Sequence, residues 1–150
     1  MVSEPIRVLC VDDNLFVAES LKVGLSMHGG FEWLGSVPTA DGLLDVVKRT
    51  RPHVVLLDID MPGRDSMEAL EELTAAAPQV KTLIVSGYEG NEFLDRALDA
   101  GAWGYVPKND GPDEIIRAIC AVHAGQFALG PGMVGKRMTI ESADQVNVAP

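Results

Sequence analysis

Five side chains able to do joint chemistry stand directly behind apolar runs. The acid pair Asp12-Asp13 follows Ile6 to Val11, Asp58 follows Val54-Val55-Leu56-Leu57, Ser86 follows Val80 to Val85, and Lys108 lies just past Trp103 to Val106. In a parallel α/β sheet the carboxyl ends of the strands share one edge. Three carboxylates gathered there repel one another unless a hard, oxygen-seeking cation such as Mg2+ sits among them. A carboxylate so placed is both ligand and nucleophile, and Asp58 can accept a phosphoryl group as an acyl phosphate. The anionic donor must approach negative side chains. Mg2+ held by Asp13, Asp58 and a loop carbonyl, that of Asp60, with Asp12 contributing directly or through water, would screen that repulsion. Lys108 offers a compact point charge to one phosphate oxygen, and the Ser86 hydroxyl a hydrogen bond to another.

The elements that must position these groups alternate along the chain, the pattern of βαβ units around a parallel sheet. The spacing predicts five strands and five helices. The first strand is Ile6 to Val11; the first helix follows Asn14, a good N-cap, with Ala18, Leu21 and Leu25 on one face, and stops at Gly29-Gly30. Phe31 to Ser36 reads as the second strand. The second helix begins near Thr39, carries Leu43, Leu44 and Val47, and is closed by Arg51-Pro52. The third strand, His53 to Leu57, and the fourth, Val80 to Val85, are apolar without alternation, as central strands covered on both faces should be. Between them the third helix, Ser66 to Ala77, turns Leu70, Leu73 and Ala77 inward. The fourth helix, Asn91 to Ala100, presents Leu94, Ala97 and Leu98. The short fifth strand is Trp103 to Val106, where Trp103 is expected to share the face of Tyr105. Pro112-Asp113-Glu114 opens the fifth helix with residues that suit a first turn, and Ile115, Ile119 and Val122 face the core before Gly125.

Composition narrows the function. The chain has 150 residues, 47% of them apolar, with 12 basic against 22 acidic side chains and a net charge of −10. That is enough apolar content for one core, and the wrong sign for binding nucleic acid through phosphates. No stretch approaches the ~18 apolar residues that span a bilayer, and Met1 to Pro5 lacks the features of a signal peptide, so a cytoplasmic protein is expected. Cys10 and Cys120 have neither metal-type spacing nor a disulfide framework, and read as core residues.

The ordered set Asp12-Asp13, Asp58, Ser86 and Lys108, with the loop Asp58-Ile59-Asp60-Met61-Pro62-Gly63, resembles the receiver domain of two-component response regulators over residues 6 to about 125. The resemblance implies an α/β, doubly wound, flavodoxin-like fold with a five-stranded parallel sheet in the order 2-1-3-4-5. It implies Asp58 as phosphoacceptor, Asp12 and Asp13 as metal acids, Ser86 as switch hydroxyl, Lys108 as phosphate-sensing lysine and Tyr105 as switch aromatic. Phosphate would draw Ser86 inward and let Tyr105 turn, changing the face formed by the fourth helix, fifth strand and fifth helix. Ala100-Gly101-Ala102-Trp103-Gly104-Tyr105-Val106-Pro107-Lys108, with Ala124-Gly125 and Leu129-Gly130-Pro131, is similar to the NarL/FixJ subfamily.

The implied partners are a sensor histidine kinase, a downstream output domain or protein, and a second copy in a homodimer; direct nucleic-acid binding and membrane insertion are not expected. The receiver is expected over residues 1–125, followed over 126–150 by a short helix, Met133 to Met138, and a flexible tail, without a DNA-binding domain. Ser66 stands where the family has glycine and can cap the third helix, and Asp60 adds a fourth acid beside the site. Two other readings are open. Asp58-Ile59-Asp60 also resembles the nucleophile motif of haloacid-dehalogenase-type phosphatases, but their acid pair follows the lysine in the chain, whereas Asp12-Asp13 comes first here. A phosphorylation-independent interaction domain would typically have lost one of the acids, the serine or the lysine. The expected role is therefore a signalling phosphoacceptor rather than an enzyme.

Overall fold

Apolar β-forming runs alternate with amphipathic stretches, so the chain can bury both only by laying helices on each face of a sheet. The structure, a computed structural model, describes residues 4–88 and 90–133. Six strands, β1 (Ile6–Val11), β2 (Phe31–Val37), β3 (Val54–Leu57), β4 (Lys81–Ser86), β5 (Gly104–Pro107) and β6 (Ala128–Leu129), form one parallel sheet in the order 2-1-3-4-5-6. The expected doubly wound order is present, and β6 extends it beyond β5.

Alternate residues of each strand feed two cores. Leu9, Val11, Val55, Leu57, Ile84 and Tyr105 pack beneath α2 (Leu43–Thr50), α3 (Ser66–Ala76) and α4 (Asn91–Ala100). Val8, Cys10, Val54, Leu56, Leu83, Val85 and Val106 pack beneath α1 (Leu15–His28) and α5 (Pro112–His123). β3 is buried along its whole length, which explains why its sequence shows no alternation. Burial, with the charge of Asp12 adding to it, pushes the Cys10 thiol up to about 12, so it stays protonated and behaves as a core residue, whereas Cys120, expected in the core, is exposed on α5.

The helix starts follow from capping. Asn14 accepts from the amides of Phe16 and Val17 at the head of α1. α2 begins at Leu43, not near Thr39, because the Thr39 hydroxyl accepts from the Asp41 amide in a local turn and Gly42 takes a left-handed conformation. Trp103 does not share the face of Tyr105. It precedes β5, packs against the α1/α5 core and lies under the Lys81 ammonium, whereas Tyr105 is fully buried in the other core.

The chain stays packed beyond Gly125. β6 pairs with β5, the Gly130 amide donates to the Tyr105 carbonyl at 3.0 Å, the Gly132 amide donates to Asp110 Oδ2 at 3.1 Å, and Met133 is fully buried. Residues 134–150, which hold most of the expected short helix and the tail, lie outside the described residues. β6 fits only because Gly104 lacks a side chain: a Cβ there would strike the Ala128 carbonyl and sit 2.8 Å from Leu83. Gly104→Ala is therefore expected to lower stability by about 1–3 kcal/mol, as overpacking does. Urea unfolding checks this, and an unchanged midpoint would show that β6 yields freely.

Candidate functional site

Main-chain pairing brings the acids together. β1 lies between β2 and β3, the Asp12 amide donates to the Val37 carbonyl at 3.0 Å, and the Asp58 amide donates to the Val11 carbonyl at 2.9 Å. Asp12 and Asp58 are thus fixed side by side where their strands end, and both are buried, with 4% and 3% exposure. Asp13 is exposed at the rim.

Every oxygen of the two buried carboxylates has a donor. Asp12 Oδ1 accepts from the Asn14 amide at 2.8 Å, and its Oδ2 meets Lys108 Nζ at 2.9 Å. Asp58 Oδ1 accepts from the Asp60 amide at 3.0 Å, and its Oδ2 accepts from Lys108 Nζ at 3.0 Å. Lys108 opens a single 3₁₀ turn, Lys108–Asp110, directly after β5. Burial raises the pKa of Asp58, opposed by the Asp60 amide and the Lys108 ammonium and reinforced by the charge of Asp12. Burial draws the Lys108 pKa down, but its hydrogen bonds to Asp12 and Asp58 and their charges outweigh it, leaving the ammonium above its ordinary range.

The loop after β3 is held at both ends. Gly63, at φ +91°, turns it sharply, and the next amide, of Arg64, donates to Asp41 Oδ1 at 2.8 Å. Asp65, not Ser66, caps α3, accepting from the Met67 amide at 2.9 Å. Ser66 sits inside the first turn, and its hydroxyl donates to the Asp58 carbonyl at 2.8 Å. The residue that departs from the family pattern therefore braces the backbone of Asp58.

Ser86 and Tyr105 are joined through Tyr88, which the sequence reading did not single out. Ser86 Oγ accepts from the Tyr88 amide at 3.0 Å, and the Tyr105 hydroxyl donates to the Tyr88 carbonyl at 2.6 Å. The Tyr88 ring stacks on Phe93 of α4, with centroids 4.7 Å apart. Its hydroxyl donates to Asp60, which together with the Asp60 charge raises the phenol pKa. Four contacts tie one exposed tyrosine to the acid loop, β4, β5 and α4. Two of them use its backbone, which no side-chain pattern encodes; the only sequence signal was an aromatic two residues past Ser86.

Asp12, Asp13, Asp58 and Lys108 converge, and Ser86 and Tyr105 lie on the adjoining strands. One carboxylate oxygen from each of Asp12, Asp13 and Asp58 lies within 4.8 Å of the others. An all-carboxylate set at that spacing fits a hard divalent cation, which binds oxygen at about 2.0–2.6 Å. Asp60 is exposed and contributes its amide to Asp58.

Among known proteins, the model of the response regulator receiver domain matches residues 8–120. The chain is 34% identical over 146 residues to response regulator GacA of Pseudomonas viridiflava, covering 97% of this chain and 68% of that one. A two-component response regulator of the LuxR family from Aurantimonas sp. SI85-9A1 superposes with a TM-score of 0.85 at 27% identity, covering 93% of this chain and 99% of that one. The signal receiver domain of the putative regulator NarL from Mycobacterium tuberculosis superposes at 0.78 and 27% identity, covering 83% and 100%.

Burying the Asp58 carboxylate at this edge, with the Asp12 charge beside it, has a measurable cost. The folded state holds a proton on Asp58 more readily than the unfolded chain does, so wild-type stability falls as pH rises from the ordinary carboxylate value of 3.8 through the raised folded value. Asp58→Asn, which does not titrate and leaves Lys108 paired with Asp12, should gain on the wild type across that window and stay ahead at pH 7 in metal-free buffer. Lys108→Met should instead lose about 2 kcal/mol, below the range for a fully buried pair because the lysine side chain keeps 23% exposure. Urea titrations at several pH values read both, and a wild type as stable as Asp58→Asn at pH 7 would contradict the first.

Proposed function

The chain belongs to the response regulator receiver domain family, and we propose that within it the chain is a working phosphoacceptor whose aspartyl phosphate forms on Asp58. It is a receiver of two-component signalling with LuxR- and NarL-type neighbours. The observation that carries the proposal is the Asp58 carboxylate itself. It is buried, held at one oxygen by the Asp60 amide and at the other by Lys108, with two further carboxylates beside it.

The reaction follows from these contacts. An Asp58 oxygen forms a bond to phosphorus as the N–P bond of a phosphohistidine donor breaks; the imidazole leaves with the bonding electrons and takes up a proton. Asp12, Asp13, Asp58 and the Asp60 carbonyl are the groups that would hold Mg2+, which when bound supplies positive charge against the phosphoryl oxygens. Lys108, already between Asp12 and Asp58, pairs with a phosphoryl oxygen. The Asp60 amide and the Ser66 hydroxyl keep the Asp58 loop from recoiling.

Readout runs through Tyr88. When the Ser86 hydroxyl turns to a phosphoryl oxygen, the Tyr88 amide loses its acceptor, and the Tyr88 carbonyl that holds the Tyr105 hydroxyl moves with it. Tyr105 then turns, and the α4–β5–α5 face changes. The partners this implies are a sensor histidine kinase as donor, an output domain or protein that reads the face, and a second copy in a homodimer, all in the cytoplasm. The described residues contain no helix long and apolar enough to cross a membrane. The acidic charge argues against direct contact with nucleic acid, and the chain takes and loses one phosphoryl group without sustained turnover of outside substrates. The receiver runs past Gly125 and takes in the packed segment that carries β6 and Met133.

Acetyl phosphate with Mg2+ is expected to add one phosphoryl mass to the wild type and none to Asp58→Asn, by intact-mass measurement. Sustained hydrolysis of a generic phosphate monoester, lost in Asp58→Asn, would favour the phosphatase reading instead. The chain has two tyrosines, Tyr88 and Tyr105. Fluorotyrosine labelling therefore gives two ¹⁹F signals, assigned with Tyr88→Phe, and both should shift on adding beryllofluoride and Mg2+. A Tyr105 signal that stays in place would remove its switch role without touching Asp58.

A further inference from the structure

A second charged feature occupies the opposite end of the sheet. A cavity of about 550 Å³ opens where β1 and β3 begin, with Arg7, Lys48, Arg51 and His53 around it. Val47, Pro52, Ala77 and Val80, all buried, form an apolar floor. Asp12 lies five residue steps along the extended chain from Arg7, so the cavity lies about 17 Å from the acid cluster.

Three observations mark it. In a chain of 22 acidic and 12 basic side chains, the ion pairs among the described residues belong to Arg64, Lys108 and Arg117, while Arg7, Lys48 and Arg51 take no carboxylate. Glu4 and Glu32 act on the nearby His53 only as the weaker opposing charges. Next, Arg51 is the one non-glycine residue at positive φ among those described, at +53°. That conformation costs energy in an L residue and persists only where its surroundings enforce it. Arg51 closes α2 there, its amide donating to the Val47 carbonyl at 2.8 Å, and Arg7 Nε holds its carbonyl at 2.7 Å. Finally, His53 Nδ1 accepts from the Arg7 amide at 2.9 Å while its ring packs against His123, so His53 fixes the Arg7 backbone at the rim. The helix dipole accounts for Lys48 in the last turn of α2, and the left-handed close of that helix for the Arg51 backbone, but neither accounts for Arg7 on a strand or for the Arg51 guanidinium.

We propose that this cavity binds an organophosphate of nucleotide size, with its phosphates on Arg7, Lys48 and Arg51 and its apolar body on Val47, Pro52 and Val80. The volume is that of a small-molecule site, and arginine forks suit phosphate oxygens. An acidic peptide would satisfy the cations but leave the apolar floor uncovered.

The test is an NMR titration of the ¹⁵N-labelled, unphosphorylated chain with ADP, and separately with inorganic pyrophosphate, in EDTA at constant ionic strength. Saturable shifts at the amides of Arg7, Lys48, Arg51 and His53, with ADP binding more tightly than pyrophosphate, are expected. Arg51→Gly, whose backbone accepts positive φ without strain, should keep the fold and weaken ADP binding about tenfold, the loss of one charge-assisted contact. Lys22→Ala should leave it unchanged. Shifts that never saturate, or saturable binding untouched by Arg51→Gly, overturn the site. Pyrophosphate as tight as ADP overturns the apolar half, and a glutamate-rich peptide binding more tightly than ADP overturns the ligand class. Asp58 takes no part in the titration, so either outcome leaves its phosphorylation unaffected.

Discussion

One ammonium between two buried carboxylates sets the terms for this molecule. Lys108 reaches Asp12 and Asp58 at 2.9 and 3.0 Å from a turn 50 residues beyond Asp58. β1, β3 and β5 must all end at one level for that to happen, and the sheet order provides it. The pair does not neutralise the edge. Asp13 and Asp60 stand close by in solvent, and Asp58 retains a raised pKa. Incomplete neutralisation is what the proposed role of the site requires, since a closed ion cluster would have no place for a cation.

The same edge shows how local chemistry can reach a distant face. Ser86 and Tyr105 are each hydrogen-bonded to the backbone of Tyr88, on its amide and carbonyl respectively. One peptide unit on either side of a single residue thus couples a buried hydroxyl to a buried phenol. The Tyr88 side chain adds a grip on Asp60 and on Phe93. These connections all meet in one loop.

Much of this was legible in the sequence because it rests on pattern. The apolar run of β3 and Leu83-Ile84-Val85 in β4 marked those strands, and the positions of Asp12, Asp13, Asp58, Ser86 and Lys108 after successive strands placed them on one edge. What was not legible depends on competition between equivalent choices or on backbone atoms. Asp65 and Ser66 can each cap a helix, and only the carbonyl of Asp58 above Ser66 decides between them. Thr39 can start a helix or close a turn, and Gly42 tips it to the turn. Trp103 would share the face of Tyr105 if the strand began one residue earlier; it begins at Gly104. β6 is two residues long, too short to show alternation, and it is visible only through the gap that Gly104 leaves for it.

That short strand also changes what the domain can join. A sheet edge with free amides and carbonyls invites another chain to add a strand. Here β6 and the turn fastened to Asp110 cover the edge of β5, while on the far side the pairing of β2 with β1 slips between Val8 and Leu9 and breaks the flat run of β2. Both outer edges are poor templates for strand addition, so a crowded population of these domains is steered away from sheet-to-sheet polymerisation and toward association through helices and loops.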